Sequence, residues 1–333
     1  MNPKITLCLL IFLLIATVFF AILSGNSELS FYSIYNVFLD KFFGFDRALQ
    51  NEEIIIWNLR MPRIFMAILA GIALSSAGAM YQSIFRNPLV EPFILGVSSG
   101  ASFGASLAIL LPFLFLPMQF SAFIFSLIAV FLAYFLAYRK GESESVSLVL
   151  SGVIIGSIFS ALVSIMKYIS EDSQLREITF WMMGGLYHAG WSDIWINFWV
   201  ILPCFIIAQI FSWKLNILSI GDEEAKSLGV NPMLFKIIFI LIATLMSAVC
   251  VSSVGIIAWV GLMMPHVARL LCGPDNRYIL GISSLMGAIY ILFCDTLART
   301  LSEGEIPVGI ITALIGSPFL IWILRSKSGK VFK

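Results

Sequence analysis

The chain alternates long uncharged apolar runs with short breaks that carry charges or prolines. A helix needs about 20 largely apolar residues to cross the hydrocarbon core of a bilayer. Read on that scale, the pattern predicts about ten spans, at 5–23, 64–85, 93–111, 118–138, 146–166, 194–213, 237–254, 256–271, 278–294 and 306–324. Two runs need division. Pro92 to Tyr138 holds 47 residues without a charge, too many for one helix, so a break near Pro112 or Pro117 separates two spans. The 32 residues from Ile237 to Ala268 exceed one span but fall short of two, which predicts a span to about Val254 and a short helix entered through Gly255.

The first run follows Lys4 and, at 19 residues from Ile5 to Leu23, is longer than the apolar stretch of a cleaved signal peptide, so it is read as a span. Three polar intervals stand out. Ser24 to Arg63 carries Asp40, Lys41, Asp46, Arg47, Glu52 and Glu53 and reads as a solvated loop, with room for an amphipathic helix at the interface. Lys167 to Asp193 is a second loop, in which Phe180 to Gly185 is too apolar to be freely solvated and is expected to dip back towards the membrane. The most polar internal stretch, 214–236, has its own local logic. Asp222, Glu223 and Glu224 favour a helix's first turn, Gly229 can take the left-handed conformation that stops it, and Asn231 caps a second helix beginning at Pro232. This predicts two short helices at an angle, a knob outside the membrane, although the same features also suit an ordinary structured loop.

Lysine and arginine in short loops set the orientation. With both ends cytoplasmic, thirteen of the 20 basic residues lie on the cytoplasmic side, among them Lys4, Arg86, Arg139, Lys140, Lys214 and Arg325. Composition agrees with a lipid-dissolved chain, since 60% of the 333 residues are hydrophobic and only 12% are charged. One domain, 1–333, is expected. The net charge of +1 and scattered basic residues give no footprint for nucleic acid. Five cysteines lie far apart in apolar stretches and read as packing or lipid-facing residues. Gly96, Gly100 and Gly104, like Gly152 and Gly156, recur at the four-residue spacing that lets helices approach closely in lipid.

Chemistry is conspicuous by what is missing from the sequence. No G-x-x-x-x-G-K-[ST] or H-E-x-x-H occurs, and His188 and His266 are expected on opposite sides of the membrane. No catalytic residue, metal ligand or cofactor is therefore assigned to this chain. An ion-coupled secondary transporter would be expected to keep ionisable residues at mid-bilayer, and the span interiors are almost free of them, so that reading is the weaker alternative. The energy for transport is expected from a separate cytoplasmic protein, with 214–236 as the contact.

At this point the sequence resembles the permease subunits of type II ATP-binding-cassette (ABC) importers for iron-siderophores, haem and vitamin B12, the FecCD/BtuC-like family. The motifs that carry the resemblance are Arg60-Met61-Pro62-Arg63, Gly78 to Gln82, Arg86-Asn87-Pro88-Leu89, Ile94 to Ala101, Trp181 to Leu186, Glu224 to Val230, Gly261 to Arg269, Asp295 to Arg299, and Pro307 to Ile310 leading to Gly316-Ser317-Pro318-Phe319. They stand in family order from Arg60 onward. The resemblance implies an all-α polytopic permease fold and a homodimer with its pathway on the two-fold axis. It also implies two ATP-binding subunits inside, which bind ATP and Mg, and a substrate-binding protein outside. Arg60, Arg63 and Arg299 would face outward to meet acidic residues of the binding protein, unless they only anchor helix ends. Asp222, Glu223, Glu224, Ala225, Leu228, Gly229 and Val230 would form the coupling element, with Ala225, Leu228 and Val230 buried against the ATPase and the acidic trio at the rim. Ser143, Glu144, Ser145 and Ser147 would form the cytoplasmic gate. The location implied is a bacterial or archaeal cytoplasmic (inner) membrane. Relatives of the same design carry molybdate or tungstate, so the motifs leave the cargo open.

Overall fold

A backbone inside a bilayer has no water to satisfy its N–H and C=O groups, so every span must close its own hydrogen bonds. The computed structural model describes residues 2–25, 29–45, 49–114, 116–138, 145–302 and 304–325, and among them the regular elements are all helical. In chain order they are α1 (Pro3–Leu23), α2 (Phe31–Phe43), α3 (Gln50–Glu53), α4 (Met61–Ile84), α5 (Val97–Leu110), α6 (Met118–Ala137), α7 (Ser145–Ile169) and α8 (Asp172–Met183). Then come α9 (Trp191–Ile210), α10 (Ser212–Ile220), α11 (Asp222–Ser227), α12 (Pro232–Val254), α13 (Val260–Cys272), α14 (Asn276–Thr300) and α15 (Val308–Arg325). Among the described residues, seven helical segments are long and apolar enough to cross a membrane. Three shorter apolar ones, at Val97–Leu110, Val260–Cys272 and Val308–Ile321, occupy the places of the third, eighth and tenth predicted spans.

Small residues decide which helix sits at the centre. The most apolar window of the segment containing α4 is 83% buried, against 17% for α1. Gly71 of α4 lies on the backbone of α14 at Gly287 and Ala288, and Gly78 lies on the carbonyl of Gly261 in α13, both closer than any side chain would allow. α12 and α9 complete the packing round α4, while α5, α6 and α7 form a neighbouring group in which Gly100 and Gly104 meet the backbone of α6. α1 and α14 run in the same direction. Arg299 near the end of α14 reaches the carbonyls of Ala21 and Ser24, and Leu7 near the start of α1 lies beside Gly281. α11 and the start of α14 therefore share one end of the bundle, and Arg299 marks the other.

Four details depart from the pattern-based expectation. Residues 50–60 belong to a helix continuous with α4, and only the part before them holds the amphipathic helix α2; Trp57 packs on Phe38, Phe42 and Trp191, which gives this stretch a buried face. The interval after α7 contains α8, whose Trp181 is buried against the core. The eighth helix begins at Val260, because 255–258 are non-helical where Gly255, Gly184 and the carbonyl of Ile256 crowd together. Finally, the second helix of the knob is not a separate short element, since Pro232 starts the full-length α12.

Irregular backbone at membrane depth is tolerated only where it is buried and satisfied. Here the accounts close. Gly185 donates to the carbonyl of Val254 at 2.8 Å and Gly309 to that of Gly184 at 3.3 Å. Gln82 Nε2 donates to the carbonyls of Val90, Gly261 and Leu262, and its Oε1 accepts from Arg269.

Candidate functional site

The predicted arginines are brought together by two helices at the end of the bundle opposite α11. Pro62 has no N–H and its ring would clash with a carbonyl one α-turn back. The chain answers with a π-helical stretch, Ile54–Arg60, in which Met61 donates to the carbonyl of Ile56 five residues earlier. Arg60 and Arg63 then share a face, and Arg299 approaches from α14 four residues after Asp295. Arg63 Nη1 donates to both carboxylate oxygens of Glu305 at 3.0 and 2.8 Å, and its Nη2 donates to Asp295 Oδ1 at 2.8 Å. Arg299 Nε donates to Asp295 Oδ2 at 3.1 Å. Arg60 Nη1 donates to the carbonyl of Ile22 at 2.5 Å, and Arg299 to those of Ala21 and Ser24 at 3.1 and 3.2 Å. Two guanidinium groups thus cap the negative end of α1.

The three arginines lie at the end of the bundle opposite α11, with their side chains turned inward. Arg60, Arg63 and Arg299 are 4%, 8% and 5% exposed, because buried guanidinium groups must be compensated and Asp295 and the α1 carbonyls lie inside. They line a pocket of about 250 Å³ together with Gly25, Leu59, Tyr187 and Glu305. A partner reaches them only by inserting a side chain. Asp295 and Glu305, the carboxylates that hold the cluster, were not singled out from the sequence. Asp295 was legible as a lone acid in an apolar span four residues before an arginine, whereas nothing local marks Glu305.

At the other end, the coupling candidates form the predicted knob. Gly229 adopts φ +74°, Asn231 accepts from Leu234 N–H and Pro232 begins α12. Asp222 pairs with the buried Lys236 at 2.5 Å, which ties α11 to α12. Ala225 and Val230 are buried within the chain itself, so they fix the knob's shape and offer no surface; Leu228 is 60% exposed and Glu223 and Glu224 are exposed beside it. The expected burial of Ala225 and Val230 against a partner is thereby corrected. At the base, Asp275 caps α14 and accepts from Arg277 and Asn216, and the Arg277 guanidinium pushes its carboxyl down to about 2.

Of the gate candidates, Ser143 and Glu144 lie outside the described residues, Ser145 opens α7 and Ser147 is half-buried two residues on. Further along α7, a groove of about 510 Å³ runs beside α5, lined by Glu91, Ser99, Gly152, Gly156, Ser157 and Ser160. A neighbouring hollow adds Ser98, Ser102, Ser164 and Lys167. Hydroxyls, bare backbone and the apolar side chains of Phe93, Ile94 and Val153 make up most of this surface, with Glu91 and Lys167 as its charged groups. Glu91 is a residue the sequence reading passed over. Its Oε1 accepts from Trp259 N–H at 2.9 Å, where Trp259 takes φ +74° just before α13. Among the described residues no three His, Cys, Asp or Glu side chains gather as a metal site requires.

Comparison with known proteins bears directly on this arrangement. Residues 13–326 match the family model described as the FecCD transport family. The chain is 36% identical over 331 residues to the hemin transport system permease protein HmuU of Yersinia pestis, covering 97% of this chain and 96% of that one. It is also 36% identical over 282 residues to the molybdate import system permease protein MolB of Haemophilus influenzae, covering 84% and 83%. Among solved structures, a metal-chelate type ABC transporter in an inward-facing conformation superposes with a TM-score of 0.85 at 36% identity, over 96% of this chain and 98% of that one.

Proposed function

The chain belongs to the FecCD transport family, and from that premise we propose that it is the permease subunit of an ABC importer that carries a metal chelate across the cytoplasmic membrane. The observation that carries the reading is relatedness along nearly the whole chain to permeases of such importers. Two copies would enclose the pathway, with the serine-lined groove beside α7 facing it. The end bearing α11 would lie in the cytoplasm, where two ATP-binding subunits holding ATP and Mg would supply the energy, and both chain ends would lie on that side.

Leu228, with Glu223 and Glu224 round it, would seat in a cleft of the ATPase, while Ala225, Gly229, Val230 and the Asp222–Lys236 pair keep the knob rigid enough to be pushed. The arginine pocket would receive a carboxylate of the extracytoplasmic binding protein. Charge complementarity of this kind fixes register and partner choice. ATP-driven closure then moves the knobs, and Ser143, Glu144, Ser145 and Ser147 would act as the cytoplasmic gate. A groove of hydroxyls passes the cargo along without holding it, so affinity resides in the binding protein.

Oxyanion cargo is the second reading, supported by an equal identity to a molybdate permease. The test for both uses the permease reconstituted with its ATPase in nanodiscs, challenged with candidate binding proteins loaded with haem, a ferric siderophore, cobalamin or molybdate. The one that stimulates ATP hydrolysis names the cargo. Tyr187→Glu, which adds a negative charge at the rim of the arginine pocket without touching its buried pairs, is expected to abolish that stimulation and leave basal hydrolysis intact. Stimulation that survives it removes the docking assignment, and uptake driven by an ion gradient without ATP would replace the whole reading by a secondary transporter.

A further inference from the structure

The loop between α14 and α15 holds one carboxylate in a costly conformation. Glu305 has φ +46°, in the left-handed region that an ordinary side chain avoids. Its side chain is nevertheless turned into the arginine pocket, where both oxygens accept from Arg63 Nη1. The two carboxylates on Arg63 differ sharply in environment. Asp295 is fully buried and shared with Arg299, whereas the Glu305 side chain is 38% exposed and forms part of the pocket wall. One is a fixture of the fold, and the other is a ligand that solvent can reach.

We infer that Glu305 is a built-in stand-in for the partner's carboxylate, which occupies Arg63 while the pocket is empty and is displaced when an acidic side chain of the binding protein enters. The inference rests on the docking reading above and adds to it a competitor within the chain. Two features favour displacement over a fixed brace. The partly exposed Glu305 has water to return to, while expelling the buried Asp295 would strand two guanidinium groups. Release of Glu305 also frees its backbone from the left-handed conformation, so part of the cost of breaking the contact is recovered.

The displaced segment has a defined neighbour. Four residues after Glu305, Gly309 donates to the carbonyl of Gly184 and packs on the carbonyls of Met183 and Ile256. Met182 and Ile256 line the outer hollow that continues the serine groove. Occupation of the pocket therefore bears on the backbone at the mouth of the pathway.

The test measures binding of the stimulating binding protein to the full permease–ATPase complex in nanodiscs, by surface biosensor at several salt concentrations. Glu305→Gln keeps size and hydrogen-bonding shape but removes the competing charge. It is expected to bind about three- to tenfold more tightly, mainly through faster association with a steeper salt dependence. Glu305→Ala is expected to shift binding in the same direction, which guards against an effect peculiar to glutamine. Tyr187→Glu serves as the control and is expected to bind weakly. Unchanged or weaker binding by both Glu305 variants, with binding still lost in Tyr187→Glu, makes Glu305 a structural brace and overturns the inference while docking stands. Binding retained by Tyr187→Glu removes docking at this pocket, and the inference falls with it.

Discussion

Replacing Asp295 with asparagine separates the part of the arginine cluster that holds the fold from the part that meets solvent. The carboxylate is fully buried and accepts from Arg63 at 2.8 Å and Arg299 at 3.1 Å. Asparagine keeps the outline and removes the charge, and its amide nitrogen turns a donor towards one of two donors. Hydrogen bonds to charged groups contribute about 1.5–3 kcal/mol each, and removing one partner of a buried pair costs about 3–5 kcal/mol. Arg63 retains Glu305, and Arg299 retains the carbonyls of Ala21 and Ser24. The lower end applies, about 3 kcal/mol, or roughly a 150-fold shift in the unfolding equilibrium. Glu305→Gln, by contrast, removes a partly exposed pair and is expected to cost under about 1 kcal/mol. Both are read by denaturant titration of the purified chain in detergent, followed by circular dichroism. Adding Arg299→Met to Asp295→Asn is expected to recover part of the loss, because one stranded charge is gone. Equal costs for Asp295→Asn and Glu305→Gln, or a loss below about 1 kcal/mol for the former, would refute the division of the cluster into a buried fixture and an exposed ligand.

Leu228→Glu is expected to abolish co-purification with the ATPase while leaving the melting temperature of the isolated permease within a few degrees, since the side chain is exposed and contributes little to the fold. Gly78→Ala places a methyl group on the carbonyl of Gly261 and is expected to destabilise the chain by about 1–3 kcal/mol in the same titration. Glu91→Ala leaves Trp259 N–H without its acceptor and is expected to cost about 1–3 kcal/mol, whereas Glu91→Gln retains an acceptor and should cost less than half of that. The Asp275 carboxyl is lowered to about 2, so its contribution is fully present above the unfolded value of about 3.9 and is lost as pH falls through about 2. The stability gap between the wild type and Asp275→Asn is therefore expected to stay constant from pH 7 to about 5 and to close below that.

The spans were legible because lipid imposes a simple rule on them: length, apolarity and absence of charge recover most boundaries within a few residues, as at Pro3–Leu23 and Met118–Ala137. The knob's local grammar, from the acidic first turn through Gly229 and Asn231 to Pro232, was equally readable, because caps and turns depend on neighbours in sequence. What escaped was decided by contacts distant in sequence. No feature of Ala225 or Val230 says that each is consumed inside the chain, and no feature of Arg63 says that Asp295 and Glu305, more than 200 residues later, turn it inward. The break at 255–259 was half readable. Gly255 marked its start, but its length follows from Gly184, Gly255 and Gly309 meeting at one point.

That meeting point gives the bundle its mechanical logic. α4 cannot slide against α13 or α14, because Gly78 and Gly71 bring backbone onto backbone there. Movement must be taken up where helices are interrupted. α12 is an unbroken rod of 23 residues, about 34 Å long, which starts beside the knob and ends at Val254, whose carbonyl accepts from Gly185. From the opposite end, the Glu305 loop reaches Gly309, which donates to Gly184. Residues 184 and 185 are thus bonded to one element that begins at the knob and to another that begins at the arginine pocket. Trp181 and Met182, just before them, pack in the cluster beside the serine-lined surface. On the proposed function, a push from the ATPase and a docking event outside therefore arrive at the same few residues of irregular backbone. Glycines with φ near +70° at 184 and 255 let this junction change shape where a helix could not.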